Sequence, residues 1–165
     1  MKLMNDVHRW ISLAGDRRVC DVFRGIFRES SETVRRERPL CVASGCCCRF
    51  ESYGHRLYVT GLEAAWFVRE LDAEAGRLTV PMIDEARERG DCPMLENGFC
   101  TVHSFRPFGC RSYFCDPRAR WQESTYERWH AMVRTLHDEL DVPYVYGEWR
   151  DMLARIVDEG AANTK

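Results

Sequence analysis

Residues 92–100 are Cys-Pro-Met-Leu-Glu-Asn-Gly-Phe-Cys, and this stretch carries the clearest local structural signal of the chain. Asn97-Gly98 is the strongest short signal for a two-residue turn, and it lies between two apolar pairs. The stretch therefore predicts a short β-hairpin. Because the two strands of a hairpin run side by side, we expect Cys92 and Cys100 to lie close together.

The other cysteines of the chain also fall into groups. Eight of the nine cysteines form two sets of four, which are Cys41, Cys46, Cys47 and Cys48, then Cys92, Cys100, Cys110 and Cys115. Three consecutive cysteines suit one tetrahedral ion poorly, because adjacent side chains point to opposite faces of a strand and about 100° apart on a helix. The pattern favours two sites or one polynuclear cluster. Thiolates select soft metals, and the spacing alone does not say which one.

The ninth cysteine, Cys20, lies on the flank of a predicted helix near Phe23 and Phe27. A cysteine in such a position is more often a small buried apolar side chain than a metal ligand. We therefore leave Cys20 out of the predicted site.

Composition places the chain among globular proteins. It has 165 residues, a net charge of -2, 45% hydrophobic and 30% charged residues. This length suits a single domain over 1–165, and the composition excludes disordered and fibrous classes. A charge near zero argues against binding nucleic acid through a basic surface.

The amino terminus informs the choice between metal ligands and disulfides. Lys2, Asp6, His8 and Arg9 interrupt the first eleven residues, so they do not form a secretory signal. No uncharged run approaches the roughly 20 residues that span a bilayer. We therefore expect a cytoplasmic protein that does not enter a membrane. A reducing compartment disfavours disulfides and favours metal binding.

Hydrophobic periodicity predicts a mainly α fold with minor β structure. Apolar residues at helical spacing predict two helices in the flank 1–40 and two in the flank 118–160. The cysteine-rich core, 41–115, is less regular, with a short strand at 56–59 and a helix that begins near Thr60 with the capping-box residue Glu63. A further helix is predicted from Pro81 to Ala86, ending before Gly90.

The neighbours of the cysteines predict a dry, cationic environment. The aromatic residues close to them in sequence are Phe50, Phe99, Phe105, Phe108, Tyr113 and Phe114. Aromatic bulk around a metal site limits solvent access, and Arg106 and Arg111 are placed to offset thiolate charge. These aromatics are equally compatible with an ordinary core, and both interpretations stay open.

The order of the cysteines and their neighbours between 41 and 115 resembles that of a known family. The first part is Cys41-Val-Ala-Ser44-Gly45-Cys46-Cys47-Cys48-Arg49, and the second begins Gly90-Asp-Cys92-Pro93-Met-Leu95 and continues through Cys100, His103, Arg106-Pro107 and Cys110-Arg111-Ser-Tyr113 to Cys115. This order resembles the YkgJ-type cysteine-cluster family, described as a zinc- or iron-chelating domain. Val59-Thr60-Gly-Leu-Glu63 is similar to the family's L-T-x-x-E helix start. The resemblance covers about 41–115 and implies metal binding by iron or zinc, without naming a reaction.

One position departs from the family pattern. Ser44 stands where the family has its second cysteine, and Cys46 is an additional thiol two residues later. Either Cys46 replaces the missing ligand, or a position of the site is left for another ligand. Related domains also occur in association with protein methylation, where an iron–sulfur centre has been proposed.

Ordinary catalytic signatures are absent from the sequence, including the P-loop, G-x-G-x-x-G, G-x-S-x-G and H-E-x-x-H. Glu127-Arg-Trp-His130, with Glu123 and His137 on the same predicted helix, has the spacing of a di-iron motif. Such sites need two copies, so a solvated helix face is the preferred interpretation.

His103 lies between cysteines, but the family tolerates tyrosine there, which argues against a ligand role.

Two hypotheses follow from these observations, and no catalytic residue is assigned in either. In the first, the eight central cysteines hold iron or an iron–sulfur cluster with a redox or modification-accessory role. In the second, they hold zinc in a non-catalytic structural module whose helical flanks bind a protein partner. Thiolate excess and aromatic neighbours favour iron.

Overall fold

The structure, a computed structural model, describes residues 2–41, 45–74 and 76–162. Within these ranges the chain is mainly α with minor β, as predicted. The elements in order are α1 (Lys2–Leu13), α2 (Arg17–Glu37), α3 (Phe50–Tyr53), β1 (Tyr58–Thr60), α4 (Gly61–Glu74), α5 (Val80–Arg89), β2 (Leu95–Glu96), β3 (Phe99–Cys100), α6 (Phe108–Ser112), α7 (Trp121–Glu139), β4 (Tyr146–Glu148) and α8 (Trp149–Ala162).

The four helices predicted in the flanks are present as α1, α2, α7 and α8. Asp16 caps α2 by accepting a hydrogen bond from the backbone N–H of Arg18 at 2.8 Å, which satisfies a donor that the helix itself cannot pair. Trp10 of α1 is fully buried, and its indole N–H donates to the Pro143 carbonyl at 2.9 Å. These contacts join the amino-terminal flank to the segment between α7 and α8.

The middle segment is more regular than its sequence suggests. Helix α4 is buried along most of its length and packs against α1 and α8. Thr60 Oγ1 accepts the Glu63 backbone N–H at 3.2 Å, as the capping box predicts. The Glu63 carboxyl group also has a hydrogen-bonding contact with the Thr60 backbone at the start of α4. It accepts the backbone N–H of Phe108 at 2.9 Å and so fixes the start of α6.

The predicted strand near 56–59 is found at Tyr58–Thr60, and its partner was not predicted. It pairs antiparallel with Tyr146–Glu148, with Val59 opposite Gly147. The Leu57 carbonyl beside this strand accepts the backbone N–H of Trp149 at 2.9 Å. The two-stranded pair therefore brings the start of α8 against the cysteine-rich segment.

The hairpin of residues 92–100 is confirmed. Leu95 pairs with Cys100 and Glu96 with Phe99, while Asn97 and Gly98 have φ values of 49° and 82°. Two successive residues with positive φ define the turn that Asn-Gly favours. Helix α5 runs Val80–Arg89, and Gly90, with φ of 75°, ends it as predicted.

Among the helices in the described ranges, none combines the length and the apolar character that crossing a bilayer requires.

Candidate metal centre

Backbone hydrogen bonds bring the two cysteine sets together. Cys46–Cys48 form a single 3-10 turn, which follows Gly45 in the left-handed conformation. The Cys92 backbone N–H donates to the Cys48 carbonyl at 2.7 Å, and the Glu51 N–H donates to the Gly90 carbonyl at 3.0 Å. These two bonds join the turn to the segment just before the hairpin.

Five thiols meet at this junction, and we call them the inner thiol group. They are Cys47, Cys48, Cys92, Cys100 and Cys110, and they line one enclosed cavity of about 20 Å³. Cys48 is at the centre of the group, because its thiol is in hydrogen-bonding contact with those of Cys47, Cys92 and Cys100. The predicted proximity of the two sets is thus found for five of the eight predicted ligands.

The remaining predicted ligands lie elsewhere. Cys46 is in hydrogen-bonding contact with Tyr53, and Cys115 with Tyr113. Each tyrosine also experiences the charge of the other cysteine, so Cys46 and Cys115 share one neighbourhood, which we call the outer thiol pair. Cys41 is exposed. Ser44, where the sequence departs from the family pattern, lies outside the described residues.

Charge within the inner thiol group is unevenly distributed. A hydrogen bond from Cys48 and the nearby Arg106 cation lower the pKa of Cys47 to about 6. The same two neighbours lower the pKa of Cys100 to about 7. Hydrogen bonds to the surrounding thiols raise the pKa of Cys48, and desolvation of its sulfur raises the pKa of Cys110. Negative charge therefore concentrates on Cys47 and Cys100.

Arg111 is a buried cation next to Cys110 in sequence. Its guanidinium donates to the Arg106 carbonyl at 3.0 Å and to the Ser104 carbonyl, and it lies over the Phe27 ring at 3.6 Å. Burial, with repulsion from Arg106, lowers the pKa of Arg111 to about 10. Arg111 thus holds the loop before α6 in place and adds positive charge close to the thiols, as the sequence predicted.

The aromatic shell predicted from the sequence is one-sided. Phe50, Phe105 and Phe108 are buried, whereas Phe99 is 64% exposed. Tyr113 is also exposed and stacks on His55 at 5.5 Å. Among the six predicted aromatics, Phe50 lines the small cavity of the thiols, whereas Phe105 packs on Phe67 and Phe108 on Tyr126.

Helix α3 is fastened to α8 by a charged contact. Arg150 is buried and donates to Glu148 at 2.8 Å and to Glu51 at 3.2 Å. Its guanidinium also lies 5.2 Å from the centre of the Phe50 ring. Phe50 lies two residues after Cys48, so this contact fixes the end of the 3-10 turn formed by Cys46–Cys48.

A pocket of about 470 Å³ adjoins the inner thiol group. Cys47 and Cys110 line both this pocket and the small cavity, so the two spaces share a wall. The opposite side carries Tyr58, Tyr126 and Tyr146. A pocket of this size can admit a small molecule, and it approaches the thiols from a direction that the sequence did not indicate.

The inner thiol group is not arranged as a loaded metal site. Within the described ranges, no three His, Cys, Asp or Glu side chains surround a common point in metal-binding geometry. The thiols instead contact one another through Cys48. A tetrahedron with zinc–sulfur bonds of about 2.3 Å has sulfur–sulfur edges of about 3.8 Å, which is close to the spacing of hydrogen-bonded sulfur atoms.

The other sequence candidates do not approach this centre. Cys20 is buried, with its thiol 3.8 Å from the Ala14 carbonyl, in agreement with its interpretation as an apolar thiol. His103 is exposed and does not line the small cavity. The interpretation of Glu123, Glu127, His130 and His137 as a solvated helix face holds for the two exposed glutamates. It is wrong for His137, which is fully buried and contacts the Pro143 carbonyl at 3.1 Å.

Sequence reasoning missed Trp149, which lines the small cavity from the start of α8. No local signal connects residue 149 with the cysteines, since the connection depends on the pairing of β1 with β4. The tryptophan at the start of an amphipathic helix indicated only a core residue.

Fold and site together define a mainly α protein with five clustered thiols beside a small-molecule-sized pocket. Comparison of the chain with protein-family models, with curated proteins and with solved structures finds no match. The resemblance to the YkgJ-type family consequently remains an expectation from the sequence.

Proposed function

We propose that the chain binds a thiophilic metal through its inner thiol group. The observation that carries this proposal is the contact of Cys48 with thiols from both cysteine sets inside one enclosed cavity. Clustered thiols have few roles in a reducing compartment other than metal binding or redox chemistry. A cation at this position would take the place of the protons that Cys48 shares with its neighbours.

The cavity supports a small centre. About 20 Å³ is room for roughly one water-sized atom, so the space is the size of a single ion and not of a cluster. A polynuclear cluster would require the thiols to separate further. Four ligands complete a tetrahedral site, and Cys47, Cys48, Cys92 and Cys100 are the set that meets at Cys48.

The preferred form of this proposal is an iron or iron–sulfur centre with a redox or modification-accessory role. Iron held by thiolates supplies one-electron chemistry when it is bound. Two observations support iron over an inert metal. The buried aromatic side chains of Phe50 and Trp149 line the cavity of the thiols, and the large pocket gives a small molecule access to the wall formed by Cys47 and Cys110.

The alternative is a structural zinc module whose helical flanks bind another protein. The small size of the cavity favours it, because structural zinc sites are compact and use four ligands. In this form the metal would join the segment ending at Cys48 to the hairpin, and its binding free energy would contribute directly to folding. We place either form in the cytoplasm, where thiolate ligands stay reduced.

Anaerobic purification, followed by elemental analysis and a visible absorption spectrum, tests the proposal. Iron with absorption near 400 nm, together with labile sulfide for a cluster, supports the preferred form. Colourless protein with stoichiometric zinc supports the alternative. Protein that binds neither metal after reconstitution under reductant would contradict both.

A further inference from the structure

Two buried N–H groups beside the inner thiol group have no acceptor among the described residues. They are the indole Nε1 of Trp149 and the guanidinium Nε of Arg106. Both residues line the same cavity as the five thiols. A buried donor without a partner is rare and destabilising, so its position calls for an acceptor.

The Trp149 ring is held firmly in this place. Its side chain is 1% exposed and meets the Phe67 ring edge-on at 4.7 Å. Its backbone N–H is fixed to the Leu57 carbonyl at 2.9 Å. The ring therefore cannot turn its N–H to solvent without displacing packed neighbours.

The comparison with Trp66 shows that a buried indole N–H without a partner does not by itself indicate a hydrogen-bond donor to the thiols. Its indole N–H is also buried without a partner, but the ring stacks on Phe23 and contacts Phe27 edge-on. Trp66 does not line the cavity of the thiols. What distinguishes Trp149 and Arg106 is that the sulfur atoms lie around the same space.

We propose that Trp149 and Arg106 donate N–H···S hydrogen bonds to the thiolates of the metal centre and so set its metal affinity and reduction potential. The inference rests on the proposed function, because a metal-bound thiolate is the charged acceptor that these donors lack. Hydrogen bonds to sulfur stabilise the more negative, reduced form of an iron–thiolate centre and thereby raise its potential.

Replacing the donors while keeping shape and charge tests this inference on the metal-loaded protein. Trp149→Phe removes the indole N–H, and Arg106→Lys removes Nε but keeps the cation. Trp66→Phe is the matched control. We expect about tenfold weaker metal binding for the first two variants and no change for the control.

A spectroscopic signature separates hydrogen bonding from general destabilisation. For an iron centre, a tenfold difference between oxidation states is about 59 mV, and we expect Trp149→Phe to lower the midpoint potential by this order. For a zinc centre substituted with cobalt(II), the sulfur-to-metal charge-transfer bands should move to longer wavelength. Unchanged potential or bands in both Trp149→Phe and Arg106→Lys would overturn the inference.

The wild-type protein provides a test that needs no folded variant. In nitrogen-15 NMR spectra, zinc or cadmium loading should move the Trp149 indole proton downfield and slow its exchange, while the Trp66 indole proton stays unchanged. Equal behaviour of the two indoles would contradict the inference. Failure of the wild-type protein to bind any of these metals would instead contradict the proposed function.

Discussion

The inner thiol group and the outer thiol pair begin in the same three-residue turn, yet their surroundings differ sharply. Cys48 is buried and contacts three other thiols, whereas Cys46, two residues earlier, contacts the exposed Tyr53. Consecutive residues of a 3-10 turn point in directions about 120° apart. One turn can therefore direct two cysteines towards the interior and leave the third at the surface.

The two regions also differ in what fixes their partners. Cys110 belongs to α6, whose start is held by the buried Glu63 carboxyl group and whose Arg111 is anchored in the preceding loop. Cys115 follows α6 and is itself exposed. Rigid placement is what a metal site requires of its ligands, so the inner thiol group suits the proposed metal site better than the outer thiol pair does.

The largest effect is expected when Cys48, the central thiol of the inner thiol group, is replaced. Cys48→Ser replaces a soft ligand by a hydroxyl, and we expect metal affinity to fall more than about 100-fold and the middle segment to lose its protection from hydrogen exchange. Metal content and exchange rates measure the two effects.

Cys20→Ser is the matched control for this variant, because Cys20 is also a buried thiol but its contact is the Ala14 carbonyl. It should keep the full metal content. Equal metal content in Cys48→Ser and the wild-type protein would remove the basis of the proposed site.

The second prediction concerns the buried carboxyl that holds α6. Burial raises the pKa of Glu63 to about 8 from an ordinary value of 4.5. The folded protein therefore binds the proton more tightly than the unfolded chain. This contribution to stability is fully present below about pH 4.5 and is lost as the pH rises through about 8, an effect on the order of a few kcal/mol.

Glu63→Gln isolates this contribution, since the amide oxygen can still accept the Phe108 N–H and the side chain no longer titrates. Urea unfolding of both proteins at pH 5 and pH 9, with equal metal loading, gives the difference. We expect the variant to lose less stability than the wild-type protein over this range. Identical pH dependence in the two proteins would exclude Glu63 as the titrating group.

The sequence predicted the local parts of this structure and not its long-range connections. Asn97-Gly98 determined the hairpin, and Thr60 determined the start of α4, because both signals act within a few residues. The pairing of β1 with β4 joins segments more than eighty residues apart, and no short pattern records it. For the same reason, the sequence could not place Trp149 at the thiols.

The sequence predicted that cysteines of the two sets lie close together. It did not predict their division into the inner thiol group and the outer thiol pair. Spacing does not tell which of three adjacent side chains faces the interior, since that depends on the turn they form. The left-handed Gly45 and the bond from Cys92 to the Cys48 carbonyl determine that orientation. The capping-box pattern also did not indicate that the Glu63 side chain accepts the Phe108 N–H, at the start of a helix 45 residues later.

The third prediction sharpens the role of Gly45. A Cβ at this position would lie 2.7 Å from the Gly98 carbonyl oxygen of the hairpin, and φ is +71°. Gly45→Ala should therefore destabilise the protein by about 2–3 kcal/mol, through backbone strain and displacement of the hairpin from the turn. Thermal unfolding and metal affinity should fall together.

Gly54→Ala separates the two causes, because Gly54 has φ of +65° and no heavy atom within 4 Å of the added Cβ. It should lose only the strain contribution, about 1 kcal/mol, and keep its metal affinity. If both variants lose equal amounts of metal affinity, the close approach of the hairpin to the turn has no role in the site.

The smallest effect is expected in the outer thiol pair, and it decides how many cysteines belong to the centre. Cys46→Ser and Cys115→Ser change thiols whose contacts are Tyr53 and Tyr113, outside the small cavity. Metal content should stay within about twofold of the wild-type value, whereas Cys47→Ser should lose most of it.

The family resemblance makes the opposite expectation for Cys46, because a replacement for the cysteine absent at position 44 would bind metal. In that case Cys46→Ser would lose as much metal as Cys47→Ser, and Ser44→Cys would restore it. The two outcomes differ in a single elemental analysis of matched variants. A loss at Cys46 would extend the site to the surface of the turn, and retention would confine it to the five thiols of the inner thiol group.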